Sequence, residues 1–129
     1  MERLRSEALP KSRRLAKRPE FVRVYENGRK HFSRHAVLFF AGNGLQNSRI
    51  GITVTKKVGK ANIRNRLKRW TREVYRRQRE PLGLDARGLD IVVNVKPSAV
   101  ESTFADFSRD LTKALERVVS DASRRAASS

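Results

Sequence analysis

A run of basic residues is the part of this sequence whose residue types and spacing indicate chemistry. Residues 56–79 contain eleven Lys or Arg and a single acid, Glu73. At about 100° of rotation per helical residue, Arg64, Lys68 and Arg72 fall on one side of a helix. Like charges four residues apart repel each other, so a row of them costs stability in an isolated helix. The pattern therefore predicts a polyanionic partner, such as a nucleic acid, that neutralises the row.

A short turn, Lys56-Lys57-Val58-Gly59-Lys60, precedes this helix. The amides and the dipole at a helix N-terminus attract phosphate groups. The segment lacks the second Gly and the Ser or Thr of a GxxxxGK[ST] loop, so it is not a nucleotide-binding loop of that kind. We interpret it as a contact for backbone phosphates, with a solvated linker as the alternative.

Two histidines, His31 and His35, offer the other possible chemistry. Residues four apart in a strand share a face, so a general acid/base pair that cleaves RNA is one hypothesis. The chain has no Cys, and Asp85 and Asp90 are isolated carboxylates, whereas a two-metal nuclease needs convergent ones. We therefore expect no catalytic residue in the protein, and no cofactor or metal bound by it.

The charge of the chain is concentrated in its first part. Of 129 residues, 30 are Lys or Arg and 13 are Asp or Glu, which gives a net charge of +17. Residues 1–79 hold 23 of the bases and five of the acids, and residues 80–129 hold seven and eight. A localised surplus favours nucleic acid as the partner over a membrane surface or an acidic protein. The absence of Cys and of a long apolar run predicts a cytoplasmic protein that does not span a membrane.

The elements that must position these residues follow from hydrophobic patterning. We expect a flexible basic arm at 1–17, one domain at 18–120 and a disordered tail at 121–129. The predicted order α-β-β-β-α-β-α around a four-stranded sheet is an α/β fold, more closely an α+β sandwich. Ile63, Leu67, Trp70 and Val74 form the apolar stripe of the basic helix, and the strands at 36–41 and 50–55 are predicted to pair antiparallel. The other predicted helices begin at residues 19 and 103, and the other predicted strands span 28–34 and 89–95.

The basic segment carries a resemblance. Residues 56–73, Lys-Lys-Val-Gly-Lys-Ala-Asn-Ile-Arg-Asn-Arg-Leu-Lys-Arg-Trp-Thr-Arg-Glu, resemble the signature of the bacterial ribonuclease P protein family. The Arg-Asn-Arg core of that signature corresponds to Arg64-Asn65-Arg66. The similarity extends to 15–28, 36–40, 50–55 and 91–97.

This resemblance implies both a fold and a function. The family fold joins its third and fourth strands through the basic helix by a left-handed crossover, which is rare among proteins. The implied function is that of the RNA-binding protein subunit of ribonuclease P, the ribonucleoprotein endonuclease that removes the 5′ leader from precursor tRNA. The family's RNA subunit carries out the hydrolysis and holds the required magnesium ions. The implied partners are this catalytic RNA and the leader, and no DNA is expected.

The resemblance also assigns residues to two surfaces. The positions matching the surface that packs on the catalytic RNA, here called the basic face, are Lys56, Lys57, Lys60, Arg64, Asn65, Arg66, Lys68, Arg69 and Arg72. The positions matching an aromatic cleft for the single-stranded leader are Phe21, Tyr25 and Phe39, and bases stack on such rings without demanding a sequence. We expect Arg13, Arg14 and Lys17, just before the first helix, to hold leader phosphates.

Several alternatives remain open from the sequence. Phe21 and Phe39 are equally well explained as core residues, and Arg66 is expected to pair with Glu73 in addition to contacting RNA. The chain as a whole is alternatively a ribosomal or chaperone-type RNA-binding module, or a stand-alone ribonuclease that uses His31 and His35.

Overall fold

The computed structural model describes residues 9–128, which form a mixed α/β domain and confirm the predicted fold class. Apolar runs form the strands Ala36–Gly42 and Leu89–Val95, and stripes of apolar residues form the helices. Three short 3-10 turns lie at Lys11–Arg13, Leu84–Ala86 and Pro97–Glu101. The main elements are, in chain order, α1 (Arg18–Asn27), β1 (Arg29–Phe32), β2 (Ala36–Gly42), β3 (Arg49–Thr53), α2 (Ala61–Gln78), β4 (Leu89–Val95) and α3 (Phe104–Ser128).

The sheet has the strand order β1-β2-β4-β3. β4 is antiparallel to β2 and parallel to β3, so the predicted antiparallel pair of β2 with β3 is wrong. Every residue of β4 except Asn94 is buried, and such a strand is stabilised most at an interior position of the sheet. α2 therefore connects two neighbouring parallel strands, and the left hand of this crossover stays an expectation from the resemblance.

The alternation of side chains divides the domain into three layers. Leu38, Phe40 and Ile91 point to one face of the sheet, where α2 and α3 cover them and form the larger core. Val92 points to the other face and packs with Val24 of α1 and with Leu15, so α1 and the segment before it cover that side. Neighbouring residues Phe39 and Phe40 consequently belong to different layers, as expected for an extended strand.

The segment before α1 is held against the sheet by specific contacts. Leu9 and Leu15 are buried, and the Leu15 amide donates a 2.8 Å hydrogen bond to the Ile50 carbonyl of β3. Arg14 forms an isolated parallel bridge with the same residue. The second half of the predicted arm therefore has a defined position because its two leucines enter the core, and residues 1–8 of that prediction lie outside the described residues.

The C-terminal helix is longer than predicted. α3 continues to Ser128, so the prediction of a disordered tail from residue 121 is wrong where the structure describes it. The carboxylate of Asp121 accepts hydrogen bonds from Arg29 (3.3 Å) and His31 (3.1 Å), and Ala122 packs against the core. These contacts with β1 hold the last turns of the helix in place. No helix within residues 9–128 is long and apolar enough to cross a membrane.

Candidate nucleic-acid interface

The predicted apolar stripe positions α2 and thereby exposes its basic residues. Leu67 and Val74 are buried in the larger core, and Ile63 and Trp70 pack against it. The side of the helix opposite this stripe faces solvent. Asn65 and Arg69 are exposed there.

The turn before α2 presents three more cations. Val58 is buried and its amide donates to the Thr55 carbonyl at 3.0 Å, which closes the turn. The Arg64 Nε donates to the Gly59 carbonyl at 3.1 Å and ties the first helical turn to this segment. The exposed cations of the turn are Lys56, Lys57 and Lys60. Together with the outward residues of α2 they form one continuous positive surface.

Arg66 occupies a different environment from its neighbours. Its guanidinium lies 5.2 Å from the ring centroid of Trp70, and its Nη2 donates to the Val100 carbonyl at 3.3 Å. The expected pair with Glu73 is not formed, since Glu73 instead binds Arg76 at 2.6 Å and Arg77 at 2.7 Å. The reason is spacing, because residues three and four apart are neighbours on a helix whereas residues seven apart are separated by two turns. Arg66 thus also fastens α2 to the turn before α3.

Arg14 and Arg72 come together where the N-terminal segment meets α2. Both line a cleft of about 460 Å³, together with Lys11, Lys68 and Phe21. Burial and the nearby Arg14 charge lower the pKa of the Arg72 guanidinium. Two guanidinium groups held this close repel each other, and an anion between them would remove the repulsion. The arrangement is suited to a phosphate group.

The aromatic cleft is centred on Tyr25 and Phe39. Their rings meet edge to face with centroids 4.8 Å apart. The Tyr25 hydroxyl donates to the Asn94 side-chain carbonyl at 2.8 Å and lies 3.3 Å from the Thr53 hydroxyl. These bonds fix the orientation of the Tyr25 ring, which is 36% exposed, so the structure brings together two of the three predicted aromatic residues in an accessible place.

Phe21 lies deeper than Tyr25. Its ring covers Gly51 of β3, where an added Cβ would come within 2.6 Å of a ring carbon. It also packs with Leu15 and Val92 in the smaller core, so the core explanation holds in part for this residue. One edge of Phe21 nevertheless borders the cleft that contains Arg14 and Arg72. That cleft runs from Phe21 to Lys68 and Arg72 of the basic face, beside the bridge that Arg14 forms with Ile50 of β3.

The remaining predicted phosphate ligands are dispersed. Arg13 donates to Asp85 at 3.2 Å, and Asp85 also accepts from Arg79 at 2.9 Å. Lys17 is exposed at the start of α1, where its backbone amide donates to Glu20 at 3.0 Å. Arg14 joins the residues of α2, as described above. The three cations therefore do not form one group beside Tyr25 and Phe39.

A buried ionic cluster that the sequence did not indicate holds α1 on the sheet. Asp90 is 0% exposed and accepts hydrogen bonds from Arg49 (2.7 and 2.9 Å), Arg23 (2.9 Å) and Asn43 (2.9 Å). Burial alone would raise the pKa of Asp90, but the bonds from Arg49, Asn43 and Arg23 outweigh it and lower that pKa. Arg49 also binds Glu20 of α1 at 3.1 Å. The sequence signal for this cluster is an acid in a strand whose other residues, apart from Asn94, are apolar.

A second missed feature borders the aromatic cleft on β1. Phe32 is 61% exposed, and the ammonium groups of Lys30 and Lys96 lie 5.6 and 5.9 Å from its ring centroid. The alternation of Lys30, His31 and Phe32 could have shown that Phe32 shares a face with Lys30. Its position beside Phe39 depends on strand register and could not be read from the sequence.

The two histidines have separate structural partners. His31 Nε2 lies 3.1 Å from the Asp121 carboxylate, and His35 is buried with its Nδ1 3.0 Å from the Ser98 hydroxyl. They do not converge on a common site, which argues against a paired general acid and base. Among residues 9–128, no three His, Cys, Asp or Glu side chains are grouped as a metal site would require.

Known proteins resemble this chain in sequence and in fold. A family model described as Ribonuclease P matches residues 9–119. The chain is 41% identical over 88 residues to the ribonuclease P protein component of Thermotoga maritima, covering 68% of this chain and 73% of that protein. It is 36% identical over 103 residues to that of Syntrophus aciditrophicus, covering 80% and 84%. The structure of the Staphylococcus aureus RNase P protein superposes with a TM-score of 0.76 at 28% identity, covering 84% of this chain and 96% of that one. The chain therefore belongs to the ribonuclease P protein family.

Proposed function

We propose that this chain binds the catalytic RNA of ribonuclease P with its basic face and the 5′ leader of precursor tRNA with its aromatic cleft. Membership of the family makes the chain the RNA-binding protein subunit of this endoribonuclease, and a ribosomal or chaperone-type module is not favoured. The observation that carries the two-surface proposal is the cleft around β3, in which Phe21 and Arg72 line one continuous space.

The basic face suits a folded RNA because its cations come from a rigid helix and the turn that leads into it. A helix fixes the spacing of the Cα atoms that carry its side chains, so phosphates held in a defined arrangement are matched with little further loss of backbone conformational entropy. Arg66 and Arg64 are further restrained by bonds to backbone carbonyls. We expect these contacts to set the position of the protein on the RNA, with affinity that falls steeply as salt rises.

The aromatic cleft suits a single strand for a different reason. Tyr25 offers an oriented, partly exposed ring next to Phe39, and a base stacked there gains energy whatever its identity. Mature tRNA has no leader, so this contact contributes only to the binding of the precursor. The protein thereby favours substrate over product.

We assign the hydrolytic chemistry and its magnesium ions to the RNA subunit. The carboxylates Asp85 and Asp90 are each held by two arginines, and the histidines by Asp121 and Ser98. These contacts fix Asp85, Asp90, His31 and His35 in separate parts of the fold. We place this activity in the cytoplasm, consistent with a chain that has no Cys.

The test is cleavage of a precursor tRNA at low magnesium by the protein alone, the cognate catalytic RNA alone, and both together. We expect cleavage at the 5′ end of the mature sequence only when the RNA is present, with strong stimulation by the protein. Absence of stimulation would contradict the assignment. Cleavage by the protein alone that is lost in His35→Ala would support the stand-alone ribonuclease instead.

A further inference from the structure

Phe32 is an exposed aromatic side chain on the same face of the sheet as the aromatic cleft. Its partner across the β1–β2 ladder is Val37, and Lys30 is the partner of Phe39. Val37 and Phe39 are two residues apart on one strand, so Phe32 and Phe39 are diagonal neighbours on one face of the sheet. The Cα atoms of such neighbours are about 7–8 Å apart. With 61% of its surface exposed, Phe32 extends the row of rings beyond Phe39 toward the edge of the sheet.

Two ammonium groups surround this ring. Lys30 Nζ lies 5.6 Å from the Phe32 centroid and 5.8 Å from the Phe39 centroid, so one cation bridges both rings. Lys96 Nζ lies 5.9 Å from Phe32 and is fixed by a 2.6 Å hydrogen bond to the Ser33 carbonyl. Rings for stacking, interleaved with cations for the backbone, are the combination by which proteins bind single-stranded nucleic acid.

We propose that Phe32, with Lys30 and Lys96, forms an additional stacking position for one more nucleotide of the single strand held at Tyr25 and Phe39. This rests on the proposed function, because the strand must already occupy the aromatic cleft. The occupant is a nucleotide because an exposed ring between two cations is matched by a flat base joined to phosphates. An uncharged apolar partner would satisfy the ring but leave the two ammonium groups without counter-charges.

A second copy of the chain is the competing occupant, since β1 is an edge strand with unpaired backbone groups. Arg29 and Lys30 are exposed on this strand. Pairing two such edges would bring like charges together, which disfavours a dimer through β1.

The experiment measures the affinity of the reconstituted ribonucleoprotein for precursor tRNAs whose leaders increase by one nucleotide at a time. With the wild-type protein we expect affinity to rise in steps as the leader reaches Tyr25 and then Phe32. Phe32→Ala should remove only the later step. The affinity for long leaders should fall about 5- to 150-fold, and the affinity for short leaders and for mature tRNA should not change.

Matched variants identify the cause of any loss. Phe32→Tyr should keep the step because it keeps the ring, whereas Phe32→Leu should lose it although it keeps apolar volume. An unchanged step in Phe32→Ala, an equal loss for mature tRNA, or a protein dimer that dissociates in Phe32→Ala would overturn the proposal.

Tyr25→Ala separates this inference from the proposed function. If Tyr25→Ala weakens binding of short leaders and Phe32→Ala changes nothing, only the additional position is refuted. If neither variant has any effect on leader-bearing substrates, the proposed function of the cleft fails as well.

Discussion

Replacing Tyr25 by Ala should weaken the binding of precursor tRNA without unfolding the protein. The ring is partly exposed and ends at the cleft surface, so its loss opens no cavity in the core. Removing one stacked base contact should cost about 1–3 kcal/mol of binding free energy, which raises Kd roughly 5- to 150-fold. Stability should fall by only about 1 kcal/mol, because the edge-to-face contact with Phe39 and the bonds to Asn94 and Thr53 lie at the surface.

The assay compares the Kd of the reconstituted ribonucleoprotein for precursor tRNA and for mature tRNA, together with thermal unfolding of the free protein. Tyr25→Phe is the matched control, since it keeps the ring but loses the hydroxyl that binds Asn94. We expect it to retain most of the precursor affinity. An equal loss for mature tRNA, or an unchanged Kd for the precursor in Tyr25→Ala, would refute the argument that this ring stacks on the leader.

Three further predictions test the surrounding structure. Phe21→Ala should lower the free energy of unfolding by about 2 kcal/mol, because this half-buried ring covers Gly51. Urea denaturation measures the change, and an unchanged midpoint would contradict the packing of Phe21 in the smaller core. Arg72→Ala should weaken binding to the catalytic RNA and reduce the slope of log K against log salt by about 0.7–0.9. Arg109→Ala, on an exposed part of α3, is the control and should change neither the affinity nor the slope. Equal slopes in the two variants would show that Arg72 is not part of the interface. Because the pKa of Asp90 is lowered, its stabilising contribution is present above its ordinary pKa and is lost as pH falls through the lower value of the folded state. Asp90→Asn should therefore lower the free energy of unfolding by about 2 kcal/mol at pH 7, and the Tm of the variant should fall less than that of the wild type as the pH is lowered. If the Tm of the variant depends on pH as strongly as that of the wild type, another carboxylate is responsible for the acid sensitivity.

Local patterns were sufficient to predict α2 and its orientation. Its stripe from Ile63 to Val74 has the helical period, so the core-facing side and the basic side follow from geometry alone. The same holds for Phe39 and Phe40, whose opposite directions follow from the pleat of a strand. Predictions of this kind need no knowledge of which element packs against which.

Predictions that depended on contacts distant in sequence were less successful. Nothing in β2 or β3 indicates that β4 will insert between them, because strand pairing is decided by the burial of the whole sheet. Residues 121–128 have a weak local signal for order, and they continue the last helix because Asp121 binds Arg29 and His31 of β1. Arg13 was predicted to hold phosphate, and its pairing with Asp85 across 72 positions could not be foreseen.

The candidate site likewise combines features that the local sequence indicated with contacts that depend on residues distant in the sequence. The motif at 64–66 indicated the basic face, but the separate contacts of Arg66 with Trp70 and Val100 required the packing of α2 against the following segment. The approach of Arg14 to Arg72 depends on the parallel pairing of the N-terminal segment with β3. This pairing places Phe21 and Arg72 in one cleft.

We propose that one protein binds the catalytic RNA with its basic face and the leader with its aromatic cleft. The most direct measurement is the ratio of the Kd for mature tRNA to the Kd for precursor tRNA, determined for the catalytic RNA alone and for the RNA with this protein. We predict that the protein raises this ratio at least several-fold, and that Tyr25→Ala lowers it toward the value of the RNA alone. A ratio that does not change on addition of the protein would contradict the account.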